Sequence, residues 1–418
     1  MIKSVQVSNE HKALNITNGT QLELLRCSYS DFEDTGYYIG NTGKLMISPT
    51  KRIRNVYPLI YSTENLIRSQ YTAQRGKKAR TEIDEFNNSI NDRMQELYEI
   101  LSEKRYVPGE YKIKQIHDPK DRTIMIAPFF PDRIIHHCII NVLSPMWTNT
   151  FIHNTYACVK DRGITLCMMD VNKALTRDRR GTAYCLKTDV TKYYDHIVHS
   201  VLKQILRYTI EDPDLLELLD KIIDSNGKEI GLPIGNFTSQ YLANLYLAYF
   251  DHWVKEELAM MVKKRFGCKL YYYRYMDDMV FLAGSKEALR YVLDMAGLYL
   301  GAELKLEFKH NWQIFPVDAR GIDFVGFKQN HYNVLLRKSI LLRFYKKLEA
   351  TKGKYQIKDE NDIKHLFPSE YGWILRCSDQ HKNYLFNKIK SYGYTEFENW
   401  SDLKDTARGD RRSQKRSE

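Results

Sequence analysis

The sequence predicts an α+β protein, and three patterns carry that expectation. Apolar residues recur every three or four positions over long runs, strand-like apolar runs come in pairs joined by short turns, and Gly, Pro and Asn mark the joins. At 418 residues the chain can bury a large core and divide into two or three lobes. With 43% hydrophobic and 28% charged residues it is globular rather than disordered.

Residues 1–55 are polar, without clear periodicity, and form an N-terminal extension to which the sequence gives no role; GNTGK there lacks P-loop spacing and reads as a turn. A helix is expected over Thr81–Tyr106, where Ile83, Phe86, Ile90, Met94, Leu97 and Leu101 recur at helical spacing and Pro108–Gly109 stops the run. YKIKQIHDPKDRTIMIAP then reads as two strands joined at Asp118–Asp121, followed by an apolar helix over Arg133–Trp147. Tyr184–Val190 (YCLKTDV) is a short buried strand. A helical region near Ser200–Asp224 ends in a turn at Asn226–Gly227, and GLPIGNFTSQ leads into a long helix, Thr238–Lys264. Lys269–Arg274 and Met279–Ala283 are strands meeting at Met276–Asp278. Ser285 can cap a helix over Lys286–Leu300, and strand-like DFVGFK closes the core near Lys328. From about Leu335 the chain is helical and basic, ending in the charged tail 401–418, which composition marks as disordered.

The charge balance points to a polyanion. Lys and Arg number 63 against 52 Asp and Glu, a formal charge of +11, which favours nucleic acid over a membrane surface. The 30 tyrosines offer flat stacking faces suited to nucleobases, although most tyrosines serve as half-buried core. Seven cysteines without a C-x-x-C pair fit reduced thiols in a cytoplasmic protein, and neither a signal-like apolar stretch nor a membrane-length window is present.

Two sites place acid at the edge of apolar strands: Asp189, near the end of YCLKTDV, and Asp277–Asp278, within YYYRYMDDMVFLA. An unpaired carboxylate in an apolar setting is costly or becomes protonated. Three such groups brought together repel one another unless divalent cations neutralise them, and hard oxygen ligands select Mg²⁺ or Mn²⁺. Two ions about 3.5–4 Å apart can clamp the attacking and leaving oxygens of phosphoryl transfer. A solvated Asp-Asp turn is the plain alternative. The apolar frame, with Asp189 upstream, favours metal binding.

YMDD between two hydrophobic strands resembles motif C of reverse transcriptases. LKTDVTKYYDH resembles their motif A, GLPIGNFTSQYLANLYL their motif B, HDPKDRTIMI and YACVKDRG their fingers motifs, and DFVGF their primer grip. The motifs occur in family order over roughly 56–350. The resemblance implies a right-hand polymerase: fingers over 56–180, a palm of antiparallel sheet backed by helices over 181–330, and a helical thumb over 331–400.

It also implies roles. Asp189, Asp277 and Asp278 match the catalytic carboxylates, with Asp189, Val190, Asp277 and Asp278 as the metal set for two Mg²⁺ ions, Mn²⁺ being able to substitute. Tyr194 matches the steric gate against a ribose 2′-hydroxyl. Lys120, Arg122, Tyr194, Gly235 and Gln240 match deoxynucleotide-binding positions. Lys309, or alternatively Lys305, matches the acid that protonates the leaving pyrophosphate. Lys160, Arg162, Tyr275 and Met276 match nucleic-acid contacts. The implied partners are an RNA template, a cDNA or primer, deoxynucleoside triphosphates and a structured non-coding RNA, with an accessory protein or a second copy as further candidates and no membrane.

Motif B narrows the group. Ile234 and Gln240 stand where retroviral and intron enzymes carry Gln and Pro, while Gly235 and Ser239 are retained. This form resembles the reverse transcriptases of diversity-generating retroelements, which implies error-prone copying with Ile234, Ser239 and Gln240 at the template. Defence-associated bacterial reverse transcriptases share such variants and imply a cDNA with an antiviral role. Two further alternatives are an RNA-directed RNA polymerase, suggested by Asp195, and a non-catalytic maturase-like RNA-binding protein.

Overall fold

The computed structural model describes residues 37–39, 45–47, 52–76, 81–117 and 121–395. Cys27, Lys120, most of the 1–55 extension and the 401–418 tail lie outside these residues. The chain folds as two compact units that interleave in sequence. One comprises the described residues within Met1–Ile152, Thr191–Asp251 and Tyr299–Glu307; the other comprises those within His153–Val190, His252–Leu298 and Phe308–Glu418. In chain order the strands are β1 (Tyr37–Ile39), β2 (Leu45–Ile47), β3 (Lys112–Ile116), β4 (Arg122–Ile126), β5 (Tyr184–Thr188), β6 (Tyr271–Tyr275), β7 (Asp278–Ala283), β8 (Gln313–Pro316), β9 (Ile322–Phe324), β10 (Phe327–Gln329) and β11 (Val334–Leu336).

The first unit is mainly helical. Its central helix, Ile134–Thr150, buries Ile135, Cys138, Ile139 and Leu143, as expected for so apolar a run. The helix Thr63–Gln74 is tied to it by Asn65, whose amide donates to the Cys138 carbonyl at 3.0 Å, and by Asn141, which donates to Ser69 Oγ at 2.9 Å. The helix expected over Thr81–Tyr106 is two helices, Thr81–Asn88 and Ile90–Ser102, parted at Ser89 with φ −131°. Asn87, Asn88 and Ser89 compete with the backbone for hydrogen bonds, which outweighs the periodicity at that point. The expected region 200–224 likewise splits, into His199–Thr209 and Pro213–Ile223. Pro213 cannot continue a helix but can start one, and Asp212 caps it by accepting from Leu215 N at 3.2 Å. β3 and β4 form the expected antiparallel hairpin, Lys112 opposite Ile126 through Ile116 opposite Arg122.

The second unit holds a four-stranded antiparallel sheet in the order β6-β7-β5-β8. The helix Ile164–Arg177 packs Cys167, Val171 and Leu175 against Cys185, Val280, Leu282 and Phe315, giving the sheet a dry face. DFVGFK, expected as one strand, is a hairpin: β9 and β10 join through Val325–Gly326, both with positive φ, and β11 completes a three-stranded sheet. The two-residue turn and its left-handed glycine force the reversal. Beyond it the helices Lys338–Thr351, Glu360–Leu366, Pro368–Ile374 and Asp379–Ser391 close over a core of Phe344, Leu348, Ile363, Phe367, Leu385 and Phe386.

Candidate active site

Asp189, Asp277 and Asp278 all belong to the second unit, and strand register brings them to one end of its sheet. β5 runs through the middle with Cys185 and Leu186 fully buried, and its last pair with β7 is Thr188 opposite Met279. Asp189 follows Thr188, and Asp278 precedes Met279 on the neighbouring antiparallel strand, so both acids sit where that ladder stops. β6 and β7 pair up to Tyr275 opposite Asp278, which leaves a turn of only Met276 and Asp277. This corrects the expectation that the strands meet across Met276–Asp278: Asp278 is the first residue of β7. Met276 lies in the left-handed region at φ 57°, where a two-residue hairpin turn ordinarily uses Gly or Asn. Such a residue costs roughly 1–3 kcal/mol and persists only when its surroundings hold it. On the other side of β5, the Asp189 carbonyl accepts from Lys309 N at 2.9 Å and Val190 bridges Phe308.

Two lysines answer the charge. Lys309 Nζ lies 3.3 Å from Asp189 Oδ2, and Lys187 Nζ lies 3.5 Å from Asp278 Oδ2 while donating to the Asp323 carbonyl. Lys305 turns instead to the Ala302 carbonyl at 2.7 Å. Burial pushes the Asp278 carboxyl up to about 6; Lys187 works against that rise, and Asp277 and Asp189 add to it. Asp278 Oδ1 is enclosed and has no hydrogen-bond partner among the described residues.

Among the described residues no three His, Cys, Asp or Glu side chains converge as a ready-made metal cluster. Asp189 and Asp278 each have a lysine within ion-pair reach, which offsets part of their like charge. The donor set nonetheless suits a hard divalent cation: carboxylate oxygens at one sheet end, one of them buried and unpaired, which a cation would satisfy.

The remaining residues divide between the units. Lys160 is exposed, whereas the Arg162 guanidinium is engaged internally, donating to the Thr155 carbonyl at 3.0 Å and the His153 carbonyl at 3.3 Å. Tyr275 is half-buried at the end of β6. In the first unit, Tyr193 is core, its hydroxyl donating to the Ala243 carbonyl, while Tyr194 beside it is half-buried and uses its carbonyl to accept from Leu232 N at 2.9 Å. Arg122 is exposed at the start of β4. The Ile234 carbonyl accepts from Met125 N on β4 at 2.8 Å. Gly235 has φ 127°, and a Cβ there would lie 2.7 Å from the Met125 carbonyl oxygen, so no other residue fits that approach. Ser239 is buried and Gln240 half-buried on the helix Phe237–Tyr246.

Beside this turn, Ile124, Ile126, Arg133, His136, Asn236 and Phe237 help line a cavity of about 210 Å³. Burial drives the His136 imidazole down to about 3, so it is neutral there. Asn236 donates to Tyr111 Oη at 2.6 Å and keeps a buried Oδ1 without a partner among the described residues.

Sequence reasoning missed Lys187 and Arg274. Lys187 precedes Asp189 by two residues, the spacing that puts both on one side of a strand, so a Lys within YCLKTD was the available signal. Arg274, a cation inside an aromatic strand, is fully buried.

Residues 117–328, just over half of the chain, match the family model described as reverse transcriptase (RNA-dependent DNA polymerase). The chain belongs to the reverse transcriptase family. It is 24% identical to protein YkfC of Escherichia coli K12 over 322 residues, covering 67% of this chain and 84% of that one. It is 19% identical over 254 residues to the COX1/OXI3 intron 2 protein of Saccharomyces cerevisiae, covering 47% of this chain and 29% of the yeast protein. Among solved structures, apo telomerase from Candida tropicalis, truncated from its C-terminal domain, aligns with TM-score 0.40 and 14% identity over 57% of this chain and 58% of that chain. Telomerase from Candida albicans, in complex with a TWJ fragment of telomeric RNA, aligns with TM-score 0.41 and 12% identity over 70% and 56%. The chain spans little more than half of each telomerase. Its described residues form an α+β fold, and among them no helix is long and apolar enough to cross a membrane.

Proposed function

We propose that this reverse transcriptase extends a primer 3′ end with deoxynucleotides on an RNA template at Asp189, Asp277 and Asp278. The primer oxygen bonds to the α-phosphorus, the bond to pyrophosphate breaks, and the hydroxyl proton passes to water. The observation that carries this reading is the shared strand end of Asp189 and Asp278 beside the Met276–Asp277 turn, with a buried, unpaired Asp278 oxygen. Asp189, the Val190 main chain, Asp277 and Asp278 would hold two divalent cations, Mg²⁺ with Mn²⁺ as substitute. Bound there, the cations would supply charge neutralisation and a more acidic 3′-hydroxyl.

The chain's own residues do the rest. Arg122 and Lys120 bind the triphosphate, and Tyr194 excludes a 2′-hydroxyl. Lys309, close to Asp189, supplies a proton to the departing pyrophosphate. Lys160, Tyr275 and Met276 touch template or primer. In this reading the fingers span 56–180, the palm 181–330 and the thumb 331–400. The template RNA is a structured non-coding RNA bound through phosphates, so affinity falls with salt.

Within the family, we assign error-prone copying of the diversity-generating kind. Ile234 replaces a polar side chain next to the close approach at Gly235, removing a contact that could discriminate at the template. Primer extension on a defined RNA template, followed by sequencing of the cDNA, tests both levels. Deoxynucleotide extension with errors concentrated opposite adenines is expected. Faithful, repetitive or untemplated cDNA would replace diversification with a defence role. Preference for ribonucleotides, or no extension with any primer or RNA, would refute the activity.

A further inference from the structure

Arg274 is fully buried in β6, between Tyr273 and Tyr275. Arginine is rarely enclosed unless its donors are used. Here the backbone pins the residue on two sides. In the sheet it pairs with Met279 of β7, and on the outer edge its N–H donates to the Asn154 carbonyl at 3.0 Å while its carbonyl accepts from Tyr156 N at 3.2 Å. The side chain then turns toward the hairpin. Nη1 donates to the Met276 carbonyl at 2.9 Å and Nη2 reaches Thr155 Oγ1, itself buried, at 3.5 Å.

The Met276 carbonyl belongs to the peptide plane that joins Met276 to Asp277. Met276 is also the turn residue with φ 57°, a conformation that a non-glycine residue holds only under constraint. A planar guanidinium, anchored in the sheet and fixed at its far edge by Thr155, supplies that constraint. We infer that Arg274 is a positioning residue for the reaction proposed above: by fixing the Met276–Asp277 peptide plane it sets the direction of the Asp277 carboxylate. The inference rests on the reading of Asp277 as a catalytic carboxylate. Lysine would keep the charge but lose the fork that spans the Met276 carbonyl and Thr155.

The test uses the full chain with Arg274→Lys, Thr155→Val and the double variant Arg274→Lys/Met276→Gly. Primer extension on RNA gives kcat and the deoxynucleotide KM. The thermal unfolding midpoint titrated with Mg²⁺, without nucleic acid, gives a second readout. Arg274→Lys is expected to lower kcat by about tenfold or more and to raise half-saturating Mg²⁺ in the thermal titration by a similar factor, with KM little changed. Thr155→Val should move both in the same direction by less. Glycine at 276 relieves the strained turn, so the double variant should recover part of the lost kcat. A lower unfolding midpoint with kcat and half-saturating Mg²⁺ within about twofold of wild type would make Arg274 merely structural. If Arg274→Lys does not fold, Thr155→Val decides: no shift in half-saturating Mg²⁺ overturns the inference. Failure of wild type to extend any primer would sink the proposed function, while the Mg²⁺ titration would still report on Arg274.

Discussion

Two tight turns invite comparison, Met276–Asp277 in one unit and Ile234–Asn236 in the other. Each contains a residue at positive φ, 57° at Met276 and 127° at Gly235, but for opposite reasons. At Gly235 the backbone of β4 is so close that a side chain has no room, with a Cβ only 2.7 Å from the Met125 oxygen. At Met276 a side chain is present and the conformation is held by a buried arginine. A turn that must be approached closely spends a glycine; a turn that must aim a carboxylate tolerates strain and braces it. Under the proposed function, the first kind of turn would tune specificity and the second would support chemistry.

The sharpest way to break this contrast is at the glycine. Gly235→Ala should lose template-directed extension by on the order of 100-fold and destabilise the fold by roughly 1–3 kcal/mol, read from denaturant midpoints, because the new Cβ meets backbone rather than a flexible side chain. Survival of both activity and stability would mean the Ile234–Asn236 segment is softer than its contact with Met125 indicates.

Tyr194→Ala comes next. Opening the gate should reduce discrimination against ribonucleotides by about 10–100-fold, measured as the ratio of kcat/KM for matched deoxy- and ribonucleotides, with little change for the deoxynucleotide. An unchanged ratio would remove Tyr194 from the sugar site. Arg122→Ala should raise the deoxynucleotide KM by about tenfold, consistent with an exposed cation at the start of β4 that loses a charge-assisted contact to the triphosphate.

The smallest expected effect is on stability and follows from Asp278. Its carboxyl is raised by burial to about 6 from an ordinary 3.8, so between those values the folded chain binds more protons than the unfolded one. Stability contributed by this group is therefore full below about pH 4 and lost as pH rises through 6. With metal removed, Asp278→Asn should be more stable than wild type at pH 8 by roughly 1 kcal/mol, after discounting for the group's partial exposure and for Lys187 losing its partner. The difference should vanish near pH 4. A variant less stable at pH 8 would show the Lys187 pair outweighing burial.

Much of the fold could be read because it is local. β3–β4 and β6–β7 are antiparallel pairs of alternating or apolar runs, and the helix Lys286–Leu304 begins where Ser285 caps Ala288 N at 3.1 Å, as expected. The errors fall where two local preferences compete. Helical periodicity across Asn87–Ser89 lost to side chains that bond the backbone, and Pro213 with Asp212 restarted a helix that apolar spacing alone would continue.

At the candidate site, the three acids stood out in the sequence because carboxylates are rare in apolar strands. Their bracing was not. Lys187, Arg162 and Arg274 carry charges that a one-dimensional pattern assigns to solvent, yet they spend their donors on Asp278 and Asp323, on the carbonyls of His153 and Thr155, and on the Met276 carbonyl. Long-range partners of that kind become visible only in three dimensions.

The most direct measurement is single-turnover addition of one deoxynucleotide to a primer on an RNA template, comparing wild type with Asp277→Ala at saturating Mg²⁺. Loss of incorporation by on the order of 1,000-fold, with template–primer affinity unchanged, is the expected result for a carboxylate that works only in the reaction's transition state. Equal incorporation by the two proteins would contradict the account, because the Met276–Asp277 turn would then not carry the chemistry.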